Sequence, residues 1–151
     1  MIALIQRVTG AEVKVAGGPV GVIGAGVLAL VGVERGDSEG EALALAERVA
    51  SYRIFPDNDG KINLSLKDVR GQLLAVPQFT LAADTKSGLR PSFSSAAAPD
   101  IAERLFRRFV EKSEEWLPRV AAGRFGAHMQ VSLVNDGPVT FWLQISPKNK
   151  S

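Results

Sequence analysis

The chain has 151 residues, 46% hydrophobic and 23% charged, which suits one globular domain with a single core that needs no staples. Its net charge of +2 neither demands nor excludes nucleic acid, since that depends on how the cations cluster. With no cysteine there can be no disulfide, thiol nucleophile or thiolate metal site.

Residues 2–15 alternate through Ile2, Leu4, Val8, Val13 and Val15, the pattern of a strand with a bulge at Thr9-Gly10. They start without a basic leader, so no signal peptide is expected. Ala16-Gly17-Gly18-Pro19 turns the chain, and residues 20–23 and 27–33 are expected to form a hairpin across Gly24-Ala25-Gly26. The run 20–33 is broken by four glycines and falls short of a membrane span, so a cytoplasmic protein is expected. Asp37 or Ser38 caps a helix, with Glu41 completing a capping box and Ala42, Leu45, Ala46, Val49 and Ala50 as its inner stripe.

Pro56-Asp57-Asn58-Asp59-Gly60 is a turn whose likeness to a calcium loop fails, with Ile62 at the glycine position and Asp68 in place of a bidentate Glu. Residues 71–76 form a strand that delivers Pro77-Gln78-Phe79-Thr80-Leu81 at its carboxyl end, ahead of a polar loop over 83–92. Pro99 opens a long helix with Ile101, Leu105, Phe106, Phe109, Val110 and Trp116 inward, and Pro118 ends it. Three strands follow, near 120–125, 129–134 and 139–145, and 147–151 reads as a frayed tail after a single domain over 1–146. Between the last two strands, Asn135-Asp136-Gly137-Pro138-Val139-Thr140 is ordinary hairpin chemistry, although a Gly-Pro pair also suits a cis peptide, a bulge or an edge. This order gives mixed sheets with both helices on one face. Lys86 with Arg90, and Arg104 with Arg107 and Arg108, are candidate phosphate contacts, although a solvated loop and a solvated helix face are the plainer readings.

The single histidine, His128, leaves no Ser-His-Asp or Cys-His arrangement unless it serves itself, and a surface or strand-end residue is its plainer role. Three-ligand metal sites built on His or Cys are likewise excluded. Thr80 is a tempting nucleophile, but no neighbouring base is nominated to activate it. Phe79 is as readily a core residue as a stacking platform. Arg7, on the residues alone, reads as a surface salt bridge.

Pro77-Gln78-Phe79-Thr80-Leu81 and Asn135-Asp136-Gly137-Pro138-Val139-Thr140 together resemble the two signatures of the D-aminoacyl-tRNA deacylases. The resemblance runs almost end to end, through Gln6-Arg7-Val8, Arg53-Ile54-Phe55, Gly60-Lys61-Ile62-Asn63-Leu64-Ser65, Gly88-Leu89-Arg90-Pro91-Ser92-Phe93 and Gly123-Arg124-Phe125-Gly126-Ala127. Two positions depart from the family pattern: Pro77 stands where Ser is usual, and His128 where an acidic residue is. Pro77 is shared with a sister group that removes mischarged L-amino acids, but Arg7, Phe79 and the second motif are not. The family implies an α/β fold of three layers, α/β/β, with a barrel-like pair of sheets. It implies hydrolysis of the ester of D-aminoacyl-tRNA, with glycyl-tRNA as a side substrate, by a homodimer with active sites at its interface and no cofactor or metal. Gln78, Phe79 and Thr80 would be the catalytic residues, and Pro77, Phe125, Met129, Asn135 and Thr140 the substrate-binding ones. Gly137-Pro138, in a cis bond and braced by Arg7, would screen the partner subunit's pocket against L-amino acids. The alternatives left open are the sister-type deacylase, an inactive dimeric tRNA-binding module and a Thr80 hydrolase of small esters.

Overall fold

The computed structural model describes residues 1–148. In chain order it contains β1 (Ile2–Val15), β2 (Gly18–Ile23), β3 (Gly26–Gly32), α1 (Glu39–Ser51), β4 (Arg53–Pro56), β5 (Ile62–Ser65), β6 (Gln72–Pro77), a 3-10 turn (Phe79–Ala82), α2 (Pro99–Glu114), β7 (Val120–Ala122) and β8 (Gln130–Gln144). The expected tail lies outside the described residues from 149 onward.

The long strand β1 organises the sheet. Along one edge it pairs antiparallel with β8, from Ile2 opposite Gln144 to Lys14 opposite Gln130. Its other edge is shared, with β3 taking the first half and β2 the second. The expected hairpin between residues 20–23 and 27–33 is therefore absent, and both segments pair with β1 end to end. The turn expected at Ala16-Gly17-Gly18-Pro19 is present, its reversal at Ala16-Gly17, both at positive φ (51° and 82°), as a two-residue hairpin loop of the kind that matches strand twist. The sheet continues with β6 parallel to β3 and β7 parallel to β6. Where β3 meets β6, a Cβ on Gly26 would sit 1.9 Å from the Gln72 carbonyl oxygen, so only glycine fits.

Strand alternation sends side chains into two cores. Val27, Ala29 and Val31 of β3, with Leu73 and Ala75 of β6, face α1 and α2 and pack with Leu45, Leu105 and Phe109. Leu28, Leu74 and Val76 face the other way and pack with Val8, Val13, Met129, Val131 and Leu133. The second core lies inside the curl of a nearly closed, barrel-like sheet. The expected three layers, with both helices on one face, follow from that division.

Several local expectations need correction. Residues 129–145 are not two strands, because β8 runs unbroken through the second motif. Thr9 is the expected bulge, since Val8 pairs with Asn135 and Gly10 with Val134. A small antiparallel pair, β4–β5, was not foreseen around the Asp57 turn, whose carboxylate accepts from the Asp59 and Lys61 N–H groups. The capping box of α1 forms as expected, Glu41 accepting from the Ser38 N–H at 2.6 Å. Helix α2 begins at Pro99, but its buried stripe is Ala102, Leu105, Phe106, Phe109 and Ser113, while Ile101 is exposed. It ends at Glu114, before Pro118, with Ser113 buried because its hydroxyl donates back to the Phe109 carbonyl at 2.9 Å.

Candidate active site

The first motif sits where β6 stops. The Gln78 N–H donates to the Val31 carbonyl at 2.8 Å, adding one more rung beyond the β3–β6 ladder. Gln78 then leaves the extended region (φ −138°, ψ 82°) and the chain tightens into the 3-10 turn. Gly32 allows that turn to lie close on β3, since a Cβ there would meet the Leu81 Cβ at 3.0 Å and the Gln78 carbonyl at 3.2 Å. The Gln78 amide donates to the Thr80 hydroxyl oxygen, fixing both side chains. Phe79 is 58% exposed, and its ring meets Phe93 at 5.3 Å between centroids. It is not a core residue.

Beside this turn lies a cavity of about 450 Å³. Pro77, Gln78 and Phe79 form one wall, residues 125–129 another, and Pro99 and Ala102 at the start of α2 close it. Of the expected substrate-binding residues, Pro77, Phe125 and Met129 line it. His128 lines it too, a position that its reading as a strand-end histidine did not anticipate. The lining contains no carboxylate, so its polar side chains are the Gln78 amide and the His128 imidazole. Gly123, quoted only as part of a matching stretch and given no role there, makes room for the wall: a Cβ there would sit 2.8 Å from the Met129 sulfur and 3.3 Å from Pro77 Cδ. Only the spacing of three strands reveals that need.

The second motif is a large bulge within β8. Gln6 pairs with Thr140 and Val8 with Asn135, so Arg7 alone faces the four residues 136–139. Asn135 ties the base of the bulge, its Oδ1 accepting from the Val139 N–H at 2.9 Å and its Nδ2 donating to Thr140 Oγ1 at 3.0 Å. Arg7 braces it from the opposite strand. Its Nε donates to the Asp136 carbonyl at 2.9 Å, and its Nη1 to the Ile54 carbonyl at 2.7 Å. The Asp136 carboxylate lies 3.6 Å from the same Nε, so the ion pair expected from the residues alone is present beside the brace. Gly137 and Pro138 are joined by a cis peptide and are exposed, with Gly137 at φ +152°.

Within one chain the two motifs do not meet. On β3, Val27 marks the level of Arg7 and Val31 the level of Pro77, four residues or ~13 Å apart along the strand. Asn135 and Thr140 accordingly stand apart from the cavity. Groups with displaced titration also lie elsewhere. Burial raises Asp37 at the end of the β3–α1 loop, whereas hydrogen bonds from Ser38 and Ser65 hold Glu41 and Asp68 low. Among the described residues no three His, Asp or Glu side chains are grouped to hold a metal ion. Of the candidate phosphate contacts, Arg107 is paired with Glu103 and Arg108 with Glu39 and Glu111, while Lys86, Arg90 and Arg104 make no ion pair among the described residues.

Residues 4–144 match the family model described as D-Tyr-tRNA(Tyr) deacylase. A relative from Thioalkalivibrio sulfidiphilus, named D-aminoacyl-tRNA deacylase, is 57% identical over 147 residues, covering 97% of this chain and 99% of its own. One of the same name from Escherichia coli O81 is 59% identical over 145 residues, covering 96% and 100%. Among solved structures, the c-Myc DNA Unwinding Element Binding Protein superposes with a TM-score of 0.92 at 35% identity, over 97% of this chain and all of that one. A probable eukaryotic D-amino acid tRNA deacylase superposes at 0.81 with 18% identity, over 95% and 98%, a likeness of fold.

Proposed function

Because the chain belongs to the D-aminoacyl-tRNA deacylases, we propose that it hydrolyses the ester joining a D-amino acid to the terminal ribose of tRNA, releasing the free amino acid and tRNA in the cytoplasm. The observation that carries this reading is the mostly apolar cavity walled by Pro77, Gln78 and Phe79 on one side and Phe125 and Met129 on the other.

Such an ester is already labile, so positioning and oxyanion stabilisation are enough, each donor contributing ~3 kcal/mol. The main-chain N–H groups of Phe79 and Thr80 take the developing oxyanion. The nucleophile is water, assisted by the substrate's own 2′-hydroxyl. Gln78 orients the ester, and the Thr80 hydroxyl, already accepting from the Gln78 amide, positions it. Phe79 offers its exposed ring to the terminal adenine, a contact worth ~1–3 kcal/mol. No cofactor or metal enters these steps.

Selection of D over L requires blocking the place of an L side chain, a task suited to rigid main-chain atoms indifferent to side-chain identity. Gly137-Pro138 does this from a second copy of the chain, each protomer of a homodimer screening its partner's cavity, and its carbonyls receive the substrate ammonium. Three features support this. The bulge lies a strand's length from its own cavity, it is exposed, and Arg7 and Asn135 brace it. Val134, Phe141 and Trp142, 62%, 40% and 52% exposed, leave apolar side chains uncovered on the strand that carries the bulge. Glycine has no side chain to block, so glycyl-tRNA escapes the screen in part.

The test is incubation with D-Tyr-tRNA and L-Tyr-tRNA, following release of tyrosine. Release from the D form alone supports the reading. Equal loss from both forms favours the sister-type deacylase, and binding without loss of either favours an inactive tRNA-binding module.

A further inference from the structure

Residues 84–92, just after the 3-10 turn, form a lobe that the chemistry above leaves unused. Its neck is a reciprocal main-chain bridge: the Asp84 N–H donates to the Ser92 carbonyl at 2.7 Å, and the Ser92 N–H to the Asp84 carbonyl at 2.9 Å. Gly88, at φ +71°, turns the tip, and Leu89 beside it is fully exposed. Lys86 and Arg90 flank the tip, both exposed and neither in an ion pair among the described residues. Asp84, the one acid of the lobe, turns its Oδ1 to the Lys86 main-chain N–H at 2.9 Å. The lobe is anchored at both ends to the proposed oxyanion donors. The 3-10 turn stops two residues before Asp84, and Phe93, just beyond the neck, packs its ring against Phe79. Two uncommitted cations are thus carried on the same unit as the ester-binding turn, whereas on α2 Arg107 and Arg108 face carboxylates and only Arg104 of the candidate set is left without an ion pair among the described residues.

We infer that this lobe is a clamp for the single-stranded acceptor end of tRNA, with Lys86 and Arg90 each neutralising a backbone phosphate upstream of the ester and Leu89 lying against a sugar or base. The inference rests on the deacylase reading and adds to it the surface that grips the polynucleotide. Neutralising phosphates releases counterions, so each contact on a single strand steepens the dependence of log affinity on log salt by about 0.7.

The test compares the full chain with a Lys86→Ala/Arg90→Ala variant on two substrates, D-Tyr-tRNA and the D-tyrosyl ester of adenosine, which carries no phosphate. On tRNA the variant's KM is expected to rise about tenfold, with its salt slope shallower by about 1.4 and kcat within about twofold. Its rate on the adenosine ester is expected to be unchanged, and Lys86→Arg/Arg90→Lys is expected to keep the wild-type KM. An unchanged KM and slope on tRNA overturn the clamp, as does an equal loss on both substrates by a variant with the wild-type melting temperature. Failure of the wild-type chain to cleave D-Tyr-tRNA overturns the deacylase reading and the clamp with it, whereas cleavage to which the variant is indifferent overturns the clamp alone.

Discussion

Thr80 is held as a hydrogen-bond partner of Gln78, on an exposed turn beside a cavity lined without a carboxylate. A hydroxyl that only positions contributes one neutral hydrogen bond, ~0.5–1.5 kcal/mol, or roughly two- to tenfold in rate. Thr80→Val is therefore expected to lower single-turnover cleavage of D-Tyr-tRNA by no more than about tenfold. A loss of several orders of magnitude in a folded variant would make Thr80 the nucleophile. Arg7 holds two carbonyls at fixed angles, which Lys cannot reproduce with one ammonium. Arg7→Lys is expected to raise cleavage of L-Tyr-tRNA relative to the D form while leaving the D rate nearly unchanged, as parallel time courses would report. Arg7, Gln78 and Phe79 were legible because each stands in a contiguous motif. The roles of Gly123 and His128 were not, although both positions were noted, because one matters through atoms supplied by β6 and Met129, and the other through a wall that exists only once β6, α2 and the 125–129 segment converge.

Elements were legible where the signal was local. The capping box of α1 and Pro99 at the start of α2 announce themselves within four residues. The partner of a strand is not local, and so β2 and β3 were wrongly paired: nothing in Gly24-Ala25-Gly26 reveals that β1 is long enough to receive both. The inner stripe of α2 was misread in part for a similar reason, since Ala102 and Ser113 fit beneath the helix while Ile101 is exposed, although Val110 and Trp116 do pack against the core as expected. Two predictions belong here. Gly26→Ala drives a methyl into the Gln72 main chain, where neither strand can yield without breaking the parallel ladder. It is expected to cost ~1–3 kcal/mol or more, read from the urea midpoint. Glu41→Gln weakens the α1 cap by about 1 kcal/mol at neutral pH. Because hydrogen bonds from Ser38 hold the Glu41 carboxyl below its ordinary value of 4.5, its contribution is complete above that value and is lost as the pH falls below it. The stability gap between wild type and Glu41→Gln is therefore expected to narrow progressively below pH 4.5. The carboxylate is exposed, so added salt narrows the gap at neutral pH as well.

At the scale of the molecule, the sheet separates the group that would choose between mirror images from the group that would do the chemistry. The bulge is fixed to the level of Val27 by Arg7, and the 3-10 turn to the level of Val31 by Gln78. The anchors stand on the paired central strands β1 and β3, so no bending of a loop brings Gly137-Pro138 onto its own cavity. A second protomer can do so, and selectivity then becomes a property of the assembly while ester cleavage remains a property of each chain. Separating the protomers should therefore separate the two functions. Val134 is apolar, exposed, and next to Asn135 at the foot of the bulge, outside the cavity lining and the Arg7 brace. Val134→Asp places a charge on that face, which a partner could bury only at a cost of several kcal/mol. The variant is expected to sediment as a monomer where the wild-type chain sediments as a dimer. The monomer is expected to lose most of its preference for D-Tyr-tRNA over L-Tyr-tRNA, with cleavage of the L form rising as the protein is diluted. A monomer that still rejects the L form as the dimer does would show that the screen lies within one chain.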